Sequence, residues 1–282
     1  MLDTVGWDTK SLVINDVHFS LEETHGGDPR YDADCFMLYK NVRTLDQYRQ
    51  LWKARPSFRP QTILELGMWD GGSVALWFEY FQPRALAAID IAKRANSPYL
   101  ERYLECHGSQ IKTFWNTDQA DTAKLHEIVA NYLGGAVDLV IDDASHLYDQ
   151  TKKSFETLFP LLSPGGLYII EDWSWACWSN LPVGFLPVGQ ELPRLIDEIV
   201  NATGSVERTF VTVDGVRRME PLIANTTVYP ELVVIERGNA DTASAGGFEL
   251  DKYVTASPQL QASASSKVTA QGRSWLRRWR RS

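Results

Sequence analysis

The chain predicts a doubly wound α/β fold, and three observations carry that prediction. Strand-like and helix-like apolar periods alternate from residue 61 to about residue 175, the rhythm of a mostly parallel sheet with right-handed crossovers. Two β-branched runs, Val137-Asp138-Leu139-Val140-Ile141 and Tyr168-Ile169-Ile170, stop abruptly at acids, the first at Asp142-Asp143 and the second at Glu171-Asp172. Ile63-Leu64-Glu65-Leu66 runs into Gly67-Met68-Trp69-Asp70-Gly71-Gly72-Ser73, a glycine-rich turn between a strand and a helix. In such sheets ligands collect outside the carboxyl ends of the strands, so the rim of strand tips is where chemistry is expected.

Taken in order, residues 1–60 form an N-terminal cap or lid. It is polar and acidic through Asp34, then helical over 44–53, where Leu45, Tyr48, Leu51 and Trp52 recur at helical spacing before Pro56 and Pro60 close the segment. The α/β domain, 61–238, follows. Strands are expected at 62–66, 85–91, 110–114, 137–141 and 167–170, and helices at 73–81, 99–106, 122–133 and 150–161. Gly134-Gly135 ends the third of these helices, and Pro164-Gly165-Gly166 turns into the last strand. Residues 172–187, rich in Trp, Pro and Gly, read as a long loop near the strand ends. A helix at 192–203 and short strands at 206–213, 216–223 and 231–237 finish the sheet. Residues 239–282 turn to Ala, Ser, Thr and Gln, which predicts an extended or disordered tail lying across a neighbouring subunit.

Bulk properties narrow the function. With 44% hydrophobic and 23% charged residues over 282 positions, the chain can build a full core. A formal net charge of −8 argues against nucleic-acid binding, which needs a cationic face. The basic, aromatic end Trp275-Leu276-Arg277-Arg278-Trp279-Arg280-Arg281 suits either an anionic surface or a solvated tail. Cys35, Cys106 and Cys177 show no paired spacing, which speaks against a disulfide framework or a zinc site. Without a basic leader or an apolar run of membrane-spanning length, a cytoplasmic protein is expected.

The strand tips carry the chemistry. Neighbouring strands would deliver Asp143, Glu171, Asp172 and His146 to one rim, where three hard oxygen ligands beside an imidazole suit a divalent cation and a proton acceptor. Three clustered carboxylates without a cation would repel one another. Gly67 and Gly71 depart from the Gly-x-Gly-x-x-Gly spacing of a dinucleotide fingerprint, and Glu65 would repel a pyrophosphate while serving a cationic amino group. Asp90 ends the second strand, where an acid either accepts ribose hydroxyls or is simply solvated. Asp118 is equally a loop cap or an adenine contact. Trp173, Trp175 and Trp178 either stack on a pyranose or pack in the core. Tyr39 and Lys40 are placed to close over a cofactor. His18, His25, His107 and His126 lack acidic company and read as structural or solvent-facing, His18 and His25 also as members of a lid.

Glu65 to Gly71, Asp90 and the acids at 142–143 and 171–172 together resemble a class I S-adenosylmethionine-dependent methyltransferase. Within that class, Asp142-Asp143-Ala144-Ser145-His146 and Pro164-Gly165-Gly166-Leu167-Tyr168-Ile169-Ile170-Glu171-Asp172 are similar to the metal-dependent sugar O-methyltransferases of macrolide biosynthesis, the mycinamicin and macrocin type. Catechol-type enzymes usually end the second motif in Asp-Asn, so Glu171-Asp172 favours the sugar branch. The resemblance implies a seven-stranded Rossmann-like methyltransferase sheet and S-adenosylmethionine held by Glu65, Gly67, Gly71, Ser73, Asp90, Asp118 and Asp142. It implies Mg²⁺ on Asp143, Glu171 and Asp172, with His146 as the base and Asp143 sharing the catalytic role. A carbohydrate or glycoside acceptor and a homodimer are its further implications. Two alternatives stand beside it. One is a metal-dependent hydroxylase of the cephalosporin-hydroxylase-labelled group, whose iron would want two histidines and one carboxylate. The other is a non-catalytic member that binds cofactor or glycan.

Overall fold

A computed structural model describes residues 11–21, 35–177, 186–203, 208–213, 216–240 and 248–254. The N-terminal extension carries a small sheet that the sequence reading did not anticipate. β1 (Ser11–Ile14) and β2 (Val17–Leu21) form an antiparallel hairpin, and β3 (Phe36–Leu38) pairs parallel to β2. Asn15 and Asp16 take the two positive-φ positions of the hairpin turn (47° and 66°), which short polar side chains tolerate. The expected helix follows as α1 (Val42–Ala54). Asn41 caps it by accepting the Thr44 N–H at 2.9 Å, and Leu45, Tyr48, Leu51 and Trp52 are buried.

The alternating core runs through β4 (Thr62–Leu66), α2 (Gly72–Phe81), β5 (Ala85–Ile89), α3 (Pro98–His107), β6 (Ile111–Phe114) and α4 (Thr122–Ile128). It continues through β7 (Val137–Asp142), α5 (Tyr148–Leu158), β8 (Leu162–Glu171) and α6 (Leu192–Thr203). β8 begins before the expected turn at Pro164-Gly165-Gly166, because Leu162 already pairs with Val137.

The late strands need correction. β9 (Arg208–Val213) and β10 (Val216–Pro221) form a separate antiparallel hairpin, while β11 (Ile223–Val228) and β12 (Leu232–Arg237) finish the main sheet. The run read as one strand at 216–223 therefore breaks at the buried Leu222. The tail also begins later than its composition suggests. α7 (Leu250–Val254) is helical, Phe248 and Leu250 enter the core, and the Leu250 N–H donates to Glu156 at 2.9 Å. The basic tail, Trp178 and His25 lie outside the described residues. Among those described, no helix is long and apolar enough to cross a membrane.

The seven strands run β11-β12-β8-β7-β4-β5-β6, and β12 lies antiparallel to both neighbours while β8 to β6 pair in parallel. Of these seven strands β4 comes first in the chain yet sits inside the sheet between β7 and β5, so the strand order reverses there and opens a crevice at the tips. Side-chain alternation sorts the strands into two layers. Leu64, Leu66, Val140, Tyr168 and Ile170 pack against the α4, α5 and α6 side. Ile63, Leu139, Ile141, Leu167 and Ile169 pack against α1, α2 and the small sheet.

Candidate active site

The glycine turn is held by sterics and by one carboxylate. Gly67 has φ 85°, and a Cβ there would lie 2.2 Å from the Asp143 carbonyl oxygen, so only glycine lets the β4 exit pass the β7 exit. Asp90, at the end of β5, accepts the N–H groups of Met68 (3.2 Å) and Trp69 (2.9 Å) on one oxygen and of Ala92 (2.8 Å) on the other. Arg94, which the sequence reading did not single out, lies over the rings of Trp115 (4.8 Å) and Trp69 (5.4 Å) and donates to the Trp69 carbonyl. Tyr39 meets Trp69 edge-on at 5.6 Å, beside the turn as its sequence position suggested.

Glu65 is fully buried in β4, and neither carboxylate oxygen has a hydrogen-bond partner. Burial pushes its pKa up to about 7, against the opposing pull of the Lys40 charge and of Ser73 and Trp77. A buried carboxylate whose neighbouring donors, Ser73 and Trp77, stand outside hydrogen-bond geometry is costly, and the arrangement suits arrival of a cationic group. Together with the close backbone approach at Gly67 and Gly71, it fits a donor carrying an amino group.

The acid rim lies one strand away. Asp143 follows β7, Asp172 follows β8, and His146 sits on the loop between β7 and α5. One ligand atom from each lies within 4.8 Å of the others, all three residues are half-buried, and His146 Nε2 is 3.8 Å from Asp143 Oδ1. Two hard oxygens and an imidazole at that spacing fit a divalent cation with a base beside it. His146 (φ 53°) and Asp172 (φ 50°) are both left-handed, a strain on the order of 1–3 kcal/mol each that the surroundings must impose. Trp175 imposes part of it: its Nε1 donates to the His146 carbonyl at 3.2 Å, and its ring stands 5.5 Å from the imidazole. The Asp172 N–H donates to the Glu231 carbonyl at 2.8 Å, and the Glu231 N–H in turn to Gln47 of α1 at 3.0 Å. Burial and the neighbouring Asp143 raise the Asp172 carboxyl, against the pull of His146 and Lys40.

Glu171 does not join this cluster. Its Oε1 accepts from Tyr48 Oη at 2.6 Å and its Oε2 from Lys40 Nζ at 2.6 Å, and Lys40 also donates to Asp143 Oδ2 at 2.8 Å. Burial alone would lower the Lys40 pKa, but the two carboxylates override it and the ammonium is held charged. Instead of covering a cofactor, Lys40 thus enters the acid rim. Its one sequence signal is that it stands two residues after the apolar run Phe36-Met37-Leu38, with Tyr39 between.

The remaining expected residues separate cleanly. Asp142 faces the other layer and is 2% exposed; it accepts from Tyr168 (2.6 Å), Ser154 (2.8 Å) and Gln119 (3.1 Å), and burial raises it to about 6. The structure does not bring it to the rim, although Gln119 also accepts the Ser145 N–H at 2.9 Å and so steadies the His146 loop. Asp118 is exposed, and its side chain accepts the Ala120 N–H at 2.8 Å, the loop-cap alternative of its two readings. Ser73 lies half-buried at the start of α2. Trp173 packs on the core and donates to the Tyr229 carbonyl at 2.9 Å. His18 is exposed on β2, His107 packs on Phe78 and Tyr103, and His126 faces the Thr122 carbonyl, so none of them joins the rim.

The reversed strand order around β4, the one antiparallel strand β12 and the acids on the tips define the methyltransferase class of α/β folds. Residues 64–173 match the family described as a methyltransferase domain. Among characterised proteins, the chain is 29% identical over 208 residues to demethylmacrocin O-methyltransferase of Streptomyces fradiae, a match covering 69% of this chain and 49% of that one. It is 34% identical over 161 residues to 8-demethyl-8-alpha-L-rhamnosyl tetracenomycin-C 2'-O-methyltransferase of Streptomyces olivaceus, covering 51% of this chain and 38% of the relative. A solved structure of the MycE methyltransferase from the mycinamycin biosynthetic pathway, in complex with Mg, SAH and mycinamycin VI, aligns over 71% of this chain and 50% of that one, with 25% identity and a TM-score of 0.48. The chain spans about half the length, or less, of the curated relatives named here.

Proposed function

We propose that this chain is an S-adenosylmethionine- and Mg²⁺-dependent O-methyltransferase acting on a sugar hydroxyl of an oligosaccharide or a glycosylated natural product. The observation that carries the reading is the meeting of Asp143, Asp172 and His146 at two strand tips, one strand from the unpartnered Glu65. The relatives support it, since the tetracenomycin enzyme is named for a rhamnosyl substrate.

The residues divide the work. Glu65 receives the amino group of the donor, and Gly67 and Gly71 let the backbone approach it. Asp90 keeps one lone pair, on Oδ1, for a ribose hydroxyl beyond those that brace the turn. S-adenosylmethionine supplies an electrophilic methyl group on a sulfonium. Asp143 and Asp172 would hold the Mg²⁺, whose chemistry there would be to polarise the acceptor hydroxyl. His146 takes the hydroxyl proton at Nε2, a contribution typically of about 10²–10⁴ in rate. Trp175 holds the imidazole in its left-handed loop, so the base stays aimed at the acceptor. An iron oxygenase would want two histidines with one carboxylate, whereas the cluster among the described residues offers one histidine with two carboxylates.

The test is transfer of label from methyl-labelled S-adenosylmethionine to a panel of methylated and unmethylated oligosaccharides and glycosides. Label should reach a sugar hydroxyl with Mg²⁺ and not with excess EDTA. Equal transfer in EDTA removes the metal from the reading, and absence of S-adenosylhomocysteine binding by calorimetry removes the donor.

A further inference from the structure

We propose that Lys40 is a permanent part of the acid rim and withdraws Glu171 from the cation's ligand set, so that the N-terminal extension sets the composition of the metal site. The inference rests on the metal reading above and departs from the assignment that the resemblance implies for Glu171. Both carboxylate oxygens of Glu171 are engaged, one by Tyr48 and one by Lys40, each at 2.6 Å, in a side chain only 2% exposed. Both donors come from the same N-terminal unit, so Glu171 is the anchor on which that unit docks.

Lys40 has little freedom to leave. On its N-terminal side β3 pairs with β2 through Phe19↔Phe36, Ser20↔Met37 and Leu21↔Leu38. The Met37 carbonyl oxygen lies 1.9 Å from where a Cβ on Gly72 would stand, so β3 rests directly on the start of α2. On its C-terminal side Asn41 caps α1. Swinging the ammonium out would unpack this segment and leave Glu171 buried beside Asp143 without its counter-charge. The charges also match: Lys40 answers one of the three carboxylates, and a dication answers Asp143 and Asp172. The second hydrogen bond from Lys40, to Asp143 Oδ2 at 2.8 Å, leaves Oδ1 on the His146 side. Lys40 is therefore a positioning residue for Asp143.

Mn²⁺ binding to the full chain, read by electron paramagnetic resonance without donor or acceptor, separates the cases. Glu171→Gln should keep the Mn²⁺ affinity within about threefold of wild type, while Asp172→Asn should weaken it by about tenfold or more. On a Lys40→Met background Glu171 is released, and Glu171→Gln should then weaken Mn²⁺ by about tenfold. A merely structural Lys40 would not produce that dependence on background. If Glu171→Gln in the otherwise wild-type chain costs as much as Asp172→Asn, the inference is overturned. Should Lys40→Met fail to fold, that first pair of variants decides alone. Wild-type protein that binds no Mn²⁺ overturns the metal reading itself, and this inference with it.

Discussion

The glycine turn at the tips of β4 and β5 and the acid rim at the tips of β7 and β8 share one edge of one sheet, yet they are assembled differently. The turn is local: Asp90 reaches back only 22 and 21 residues to the N–H groups of Met68 and Trp69. The rim is completed from afar, by Lys40 at separations of 103 and 131 residues from Asp143 and Glu171, and by Tyr48 at 123 from Glu171. A local turn depends on its own glycines and N–H groups, whereas a cluster of buried acids takes its cation from whichever segment packs over it. The glycine turn is therefore a property of the α/β domain, and the acid rim is a property of that domain together with its N-terminal extension.

The sharpest break in this comparison is His146→Ala. It should lower kcat by about 10³ while S-adenosylhomocysteine affinity, measured by calorimetry, stays near wild type. Lost affinity would mean that rim and turn are one energetic unit. Gly67→Ala strikes the seam between the two regions, since its Cβ would press on the Asp143 carbonyl at 2.2 Å from a φ of 85°. A loss of about 2–4 kcal/mol in urea unfolding is expected. A change below about 1 kcal/mol would show that the β4 and β7 exits move independently.

Glu65→Gln tests the turn alone. The Glu65 pKa is raised to about 7 in the folded chain, so the folded state retains a proton that the unfolded state releases. Stability is then highest in acid and falls as pH rises from the ordinary carboxylate range through about 7. Glu65→Gln should remove that slope, gaining on the order of 2 kcal/mol at pH 8 without donor, and should weaken S-adenosylhomocysteine by about tenfold. An effect equal at pH 5 and pH 8 would rule out an ionised, unpartnered carboxylate.

Alternation explains both what was legible in the rim and what was missed. The strand-end acids were visible because apolar runs stop at them. Their division between faces followed from period two, yet reading 142–143 and 171–172 as paired motifs obscured it. Asp142 and Asp143 are neighbours in sequence and point to opposite layers, and Glu171 points to the α1 layer where Lys40 waits. Asp172 reaches the Asp143 side only through its left-handed backbone, which no periodicity announces. The three-stranded N-terminal sheet was invisible for a different reason. Strands of three to five residues carry too few alternating positions to stand out, and β1 and β3 are stabilised by packing on α2.

By itself the sequence determined the order of strands and helices from α1 to α6, the glycine turn and the presence of acids at the tips of β7 and β8. Each of these is written in a short stretch of residues whose conformational preferences and burial agree. Tertiary structure alone decided that β9 and β10 leave the sheet, that Phe248 and Leu250 return to the core, and that Lys40 is the ammonium among the acids. Those outcomes depend on contacts between segments far apart in the chain, where the gain comes from removing apolar surface from water and pairing opposite charges that burial has desolvated, and local composition does not encode the partner.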